Sequence, residues 1–140
     1  MRLFLLILSC SLGISLQAND PLPPVKVLLV KVDEIGLVTV GRDTVGSDHL
    51  ARYIQERLFK SYLGTGQMYD LIRFEKADTY VPEELSQVVI REIRTGQEKA
   101  LQVLCLQKFR KTYEMLDHKK KQKLQKQFPV LFQDQFTENV

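Results

Sequence analysis

The sequence predicts an α+β fold. We expect a two-layer sandwich in which a small mixed sheet carries two helices on one face, in the order ββαβαβ, with a further C-terminal helix. Three observations predict it. Valine-rich runs at Val25–Val32 and Leu37–Val40 flank an Asp-Glu-Ile-Gly turn, the pattern of a hairpin. Two stretches repeat apolar residues at helical spacing: Leu50, Ile54 and Leu58, then Leu85, Val88, Val89 and Ile93. Each stretch is followed by a run of strand character, Tyr69–Phe74 and Leu101–Leu106. Right-handed crossovers between such strands place both helices on one side of the sheet.

The elements follow in order. Lys26 and Lys31 mark the two ends of the first strand, and Asp33-Glu34-Ile35-Gly36 turns the chain into the second. Gly41–Val45 continues that strand or turns out of it. Gly46-Ser47-Asp48-His49 opens the first helix, with Ser47 as the expected N-cap and Asp48 complementing the positive end of the helix dipole. This helix is expected to run to about Tyr62 and to end at Gly64-Thr65-Gly66. The third strand leads through Glu75–Asp78 to Pro82-Glu83-Glu84. A proline with two acids behind it is a strong helix start. Thr95-Gly96 is expected to stop this second helix and to release the fourth strand, Leu101–Leu106.

Size and composition fit this plan. A chain of 140 residues, 44% apolar and 26% charged, supports one domain. Its net charge of +3 does not make the whole molecule a polyanion binder. Cys10 and Cys105 provide no disulfide framework, so the core must hold the fold. Cys105, inside an apolar run, reads as a packing residue in preference to a reactive thiol.

Residues 3–16 form an apolar run behind Arg2 that ends at Gln17-Ala18 and a polar shift. The run is shorter than the roughly 20 residues of a spanning helix and has signal-peptide anatomy. Residues 1–18 are therefore expected to be a signal peptide cut after Ala18, or else a short uncleaved membrane anchor. A lipoprotein signal ending at Cys10 is a weaker reading. Each version exports the protein, to the periplasm or to a tethered position on the inner membrane. Residues 19–24, with Pro21, Pro23 and Pro24, make a stiff linker.

The domain expected over residues 25–107 resembles the periplasmic domain of the ExbD/TolR family of biopolymer transport proteins. Val27–Asp33 followed by Gly36–Gly41 is similar to that family's opening hairpin, and Ser47-Asp48 to the start of its first helix. Asp70–Pro82 is similar to its strand, its basic-Ala-Asp loop and the aromatic before its second helix. Val88–Ile93, Gly96 and Leu101–Leu106 resemble that helix, its glycine and its last strand. The resemblance implies an accessory to proton-motive-force-coupled transport or envelope energy transduction. It implies as partners an ExbB/TolQ-like membrane protein and a TonB/TolA-like transducer, with a homodimer or peptidoglycan as further partners. Family members carry a membrane helix with a buried aspartate. Here Met1–Ala18 contains no acid, so the proton-carrying role transfers to no residue of this chain. What the resemblance leaves is docking, expected along the exposed edge of the sheet at Leu101, Val103 and Cys105.

Residues 108–140 lie beyond the resemblance and are basic. Phe109, Tyr113, Leu116 and Leu124 recur at roughly helical steps, which predicts an amphipathic helix ending at Pro129. Its apolar stripe packs on the domain, or its lysines, Lys119, Lys120, Lys121 and Lys123, contact an anionic surface. The alternative function is therefore a periplasmic protein that binds peptidoglycan or a membrane surface through this basic tail. Export argues against nucleic acid as the partner.

No enzyme, metal or cofactor motif is found. His49 and His118 stand far apart without companion ligands. Ser47 lacks a nucleophile-elbow context, and Gly64-Thr65-Gly66 lacks the lysine of a phosphate loop. Asp78, at a strand-to-helix junction, reads as a turn or cap residue before it reads as a catalytic acid.

Overall fold

The computed structural model describes residues 24–137. The leader of residues 1–18 and most of the linker lie outside the described residues. The chain forms an α+β two-layer sandwich, as expected. Strands β1 (Val27–Val32), β2 (Val38–Val40) and β3 (Asp43–Val45) lead into helix α1 (Leu50–Thr65). Strand β4 (Leu71–Lys76) and helices α2 (Glu83–Phe109) and α3 (His118–Gln127) follow. Short 3-10 turns lie at Ser47–His49, Tyr113–Met115 and Pro129–Phe132.

The four strands lie in the order β3-β2-β1-β4, with β1 antiparallel to β2 and parallel to β4. Alternation sets the two faces of the sheet. Leu28, Val30 and Val32 of β1 and Ile72 and Phe74 of β4 are buried, while Leu29, Lys31, Arg73 and Glu75 between them are partly exposed. The buried face meets Ile54 and Leu58 of α1 and Val89, Ile93 and Leu104 of α2 in one core. At the first hairpin the Asp33 carboxylate accepts from the backbone N–H of Ile35 (3.1 Å) and of Leu37 (2.7 Å). This Asx turn needs the positive φ of 85° that Gly36 supplies.

Helix α1 ends where expected: Gly66 is left-handed and donates to the Tyr62 carbonyl at 2.8 Å. Ser47 does not cap it. Gly46 precedes the 3-10 turn, and neither cap position makes a side-chain bond. Helix α2 starts directly after Pro82, with Glu83 and Glu84 in its first turn.

The largest departure is the expected fourth strand, Leu101–Leu106. These residues belong to α2, which continues unbroken for 27 residues. The buried positions explain it: Ser86, Val89, Ile93, Gly96, Gln97, Ala100, Leu101, Leu104 and Cys105 keep one helical stripe from end to end. Gly96 therefore does not stop the helix. A Cβ placed there would lie 2.7 Å from Ile54 Cβ and 2.8 Å from the Ala51 carbonyl oxygen, so the bare backbone is what lets α1 cross closely. The chain reaches four strands by another route, because Asp43–Val45 forms β3 on the outer side of β2. The order is thus βββαβα followed by α3, in place of ββαβαβ.

The expected amphipathic helix from residue 108 onward is also divided. Helix α2 ends at Arg110, which is left-handed at φ 54°. Helix α3 begins after Asp117, whose carboxylate accepts from the Lys120 N–H at 2.8 Å. Beyond it, Phe128, Val130, Leu131 and Phe136 are buried in the same core as the sheet. The boundary expected at residue 107 is therefore crossed by α2 and by a shared core.

Candidate functional site

The residues first expected to dock a partner do not form a strand edge. Leu101 and Cys105 are buried on the inner stripe of α2, and Val103 is half-buried on another side of the helix. Burial also pushes the Cys105 thiol pKa up, with the Glu114 charge adding to it, so this cysteine is a packing residue. Leu101 and Val103 instead border a groove of about 620 Å³ between α1, α2 and the Tyr113–Met115 turn. Gln102 ties that turn down, donating to Glu114 at 3.0 Å and accepting from the Tyr113 N–H at 3.3 Å.

The two real edges of the sheet are β4 and β3. The chain's own C-terminal segment occupies β4. The Gln133 side-chain amide accepts from the Ile72 N–H (2.8 Å) and donates to the Ile72 carbonyl (2.7 Å), as a neighbouring peptide group would. Farther along, the Phe74 N–H donates to the Phe136 carbonyl at 2.9 Å. At the other edge β3 is short, and its Asp43 carboxylate accepts from the Tyr53 hydroxyl. That hydrogen bond is the main reason the Tyr53 pKa is raised, with burial second.

An apolar surface lies at the end of the sheet where β1 and β4 finish. Ile35 (81% exposed), Leu37 (46%) and Tyr80 (83%) project from the two loops there. The loops are neighbours, because the Ala77 N–H donates to the Val32 carbonyl at 2.8 Å. Leu85 packs under the hairpin, 3.5 Å from where a Cβ of Gly36 would sit. Exposed Glu34, Asp78, Glu83 and Glu84 give this end an acidic rim. Glu83 is held below the usual carboxylate range, first by its hydrogen bond from Gln87 and then by Lys76 at 3.4 Å. Asp78 sits exposed in the turn between β4 and α2. No motif in the sequence marked this patch. The available signal was an isoleucine placed inside a turn.

The basic residues gather at the opposite end, on α3. Leu124 anchors the helix in the core. Lys120 and Lys121 flank it, with their ammonium groups over the rings of Phe109 (5.6 Å) and Tyr113 (5.2 Å). Lys119, Lys123 and Lys126 occupy the outer side and are exposed. The stripe of the C-terminal segment packs on the domain, and a lysine face is left over.

Asp117 links this face to pH. Its carboxyl is lowered from 3.8, first by the Lys120 N–H and then by the charges of Lys120, Lys111 and Lys119. A folded pKa below the unfolded one gives stability that is complete above the unfolded value and lost as pH falls through the folded one. We therefore expect the amides of Lys120 and Lys121, which donate to the Asp117 carboxylate and carbonyl, to lose exchange protection as pH drops below about 4. Asp117→Asn keeps a neutral acceptor and should remove most of that pH dependence.

Among the described residues, no group of three or more His, Cys, Asp or Glu side chains is arranged to hold a metal ion. His49 lies beside Asp48 at 3.3 Å on the surface before α1, and His118 opens α3, so the fold leaves them in separate elements. Among the described residues no helix is long and apolar enough to cross a membrane. No protein-family model matches the chain, and no curated protein matches it either.

Proposed function

We propose that this chain is an ExbD/TolR-like envelope module that works by protein–protein docking, as an accessory to proton-motive-force-coupled transport or envelope energy transduction. The observation that supports docking is the acid-rimmed apolar end formed by Ile35, Leu37 and Tyr80. Large apolar side chains grouped on a surface favour a partner that removes them from water. The acidic rim favours a partner segment that is apolar with basic flanks. The envelope setting rests on the exported leader and on the resemblance of Val27–Gly41 and Asp70–Pro82. Of the partners that resemblance implies, the TonB/TolA-like transducer is the one we place at this end. The ExbB/TolQ-like protein would be met from the membrane side.

With Leu101–Leu106 in a helix and β4 occupied by Gln133 and Phe136, docking moves from the sheet edge to the ends of β1 and β4. A photo-crosslinking residue at Tyr80 or Ile35 should trap a transducer of this class in intact cells, and one at Glu98 should not. Ile35→Asp should reduce the adduct formed from position 80, and Tyr80→Asp the adduct formed from position 35, by about tenfold, and neither should change thermal unfolding, because both side chains are already in water. Trapping a transducer equally from position 98, or none from 35 and 80, would overturn the reading.

A further inference from the structure

We infer that the outer face of α3 binds the headgroups of an anionic lipid bilayer. This goes beyond the docking reading and does not depend on it. The first observation is the placement of α3 in the fold. Residues entering the domain lie beside its C-terminal end: Pro24 and Val25 border the same recess as Gln127, Phe128 and Pro129. The join is well built. Phe128 meets the Tyr62 ring edge-on at 5.4 Å, and Lys26 next to the entry donates to Ser61 at 2.7 Å and covers the Tyr69 ring at 4.7 Å. Residues 17–23 span at most about 25 Å when fully extended. When residues 1–18 are retained as the uncleaved membrane anchor, this recess puts α3 on the bilayer side of the domain and within reach of its surface.

The second observation is the distribution of charge on the helix. Between His118 and Gln127 every charged residue is a lysine. Lys119, Lys123 and Lys126 are spaced four and three residues apart, so they share the side opposite buried Leu124. Among the described residues none of the three is within ion-pair distance of an acid, and Lys119 acts on the Asp117 carboxylate through its charge alone. Lysines in the first turn oppose the helix dipole, so helix stability is not what places Lys119, Lys120 and Lys121 there. Lys120 and Lys121 are held against rings, while the outer row is free to meet a planar negative surface. The long stems of such lysines let the charged heads reach headgroups while the helix stays at the interface. The apolar docking end and this basic face lie at opposite ends of the sheet. Binding lipid through α3 therefore turns Ile35 and Tyr80 away from the membrane.

The test uses the full chain, with Cys10→Ser, in vesicles of phosphatidylcholine alone or mixed with phosphatidylglycerol. A polarity-sensitive dye is attached at Gln122→Cys, in the middle of the outer face, or at Tyr80→Cys as the distal control. Buried Cys105, with its raised thiol pKa, stays unlabelled. The dye at position 122 should shift to the blue in the anionic vesicles and not in the neutral ones, and the dye at 80 should shift in neither. The shift should vanish in about 1 M salt, where the Debye length is about 3 Å. It should also vanish with Lys119→Glu, Lys123→Glu and Lys126→Glu combined, which replace exposed side chains and leave buried Leu124 in place; Lys119→Glu suits the helix dipole and Lys126→Glu in the last turn opposes it. Equal shifts in both vesicles, or no shift at 122, would overturn the inference. A shift with purified peptidoglycan but none with anionic lipid would overturn it in favour of the cell-wall polymer.

Discussion

Gly96→Ala should lower the stability of the domain by about 1–3 kcal/mol, the usual cost of forcing an extra carbon into a packed interior. Helix propensity alone predicts the opposite sign, since alanine is better than glycine inside a helix by about 1 kcal/mol. The crossing of α1 over α2 decides the outcome. The new Cβ would meet Ile54 Cβ at 2.7 Å, Ile54 Cγ2 at 2.8 Å and the Ala51 carbonyl oxygen at 2.8 Å. None of these is the far end of a flexible side chain. Ile54 is fully buried, and the Ala51 oxygen is backbone inside α1. Relief requires the two helices to separate, which loosens Ile54, Leu58 and Ile93 together. Urea unfolding of the two proteins measures the difference. A variant as stable as the parent, or more stable, would mean that α2 breaks near Thr95-Gly96.

The same glycine shows where the sequence was legible and where it was not. The hairpin, α1, β4 and the start of α2 each carried a local signal: valine runs around Gly36, a stripe ending at Gly66, and Pro82 followed by two acids. Gly96 carried a misleading one. A glycine after a threonine looks like a helix stop, and the apolar run behind it suits a buried strand as well as a buried helix. What separates them is the spacing of Ala100, Leu101, Leu104 and Cys105, which prolongs the stripe begun at Val89 and Ile93. Once that run is helical, the docking edge placed on Leu101, Val103 and Cys105 is lost. The apolar end took its place. The loops that carry Ile35 and Tyr80 leave the same end of the sheet only because β1 and β4 run parallel, and no local pattern encodes that pairing.

The lysine face of α3 was legible as composition, because a run of like charges needs no partner to be recognised. What the fold added is its geometry. Leu124 points inward, Lys120 and Lys121 are stacked on rings, and Lys119, Lys123 and Lys126 are left outward. Equally invisible in sequence was the closure of the β4 edge. A glutamine amide that imitates a peptide group leaves no periodic trace, and Gln133 does so on Ile72. An open edge of that length would invite pairing between chains, so the segment also protects the sheet.

Ending the chain after Gln127 should abolish cooperative folding. The cut removes Phe128, Val130, Leu131 and Phe136 from the core. Each such side chain contributes about 1.5–3 kcal/mol when fully buried, so the gross loss is on the order of 6–12 kcal/mol. The entropy recovered by freeing the segment offsets part of this, yet whole domains are stable by only about 5–15 kcal/mol. The shortened chain should bind a hydrophobic dye and lose its near-UV dichroism. A single substitution tests the same attachment gently. Gln97 is 3% exposed and donates to the carbonyls of Val130 (2.7 Å) and Gln133 (3.0 Å). Gln97→Leu leaves these carbonyls without their donor and should cost about 1–3 kcal/mol. Because Gln133 holds Ile72 and Phe136 holds Phe74, the amides of Ile72 and Phe74 should exchange faster in this variant than those of β2. If the shortened chain instead unfolded cooperatively at an unchanged midpoint, the core would not depend on Phe128, Val130, Leu131 and Phe136, and the segment that carries them would be a separate arm.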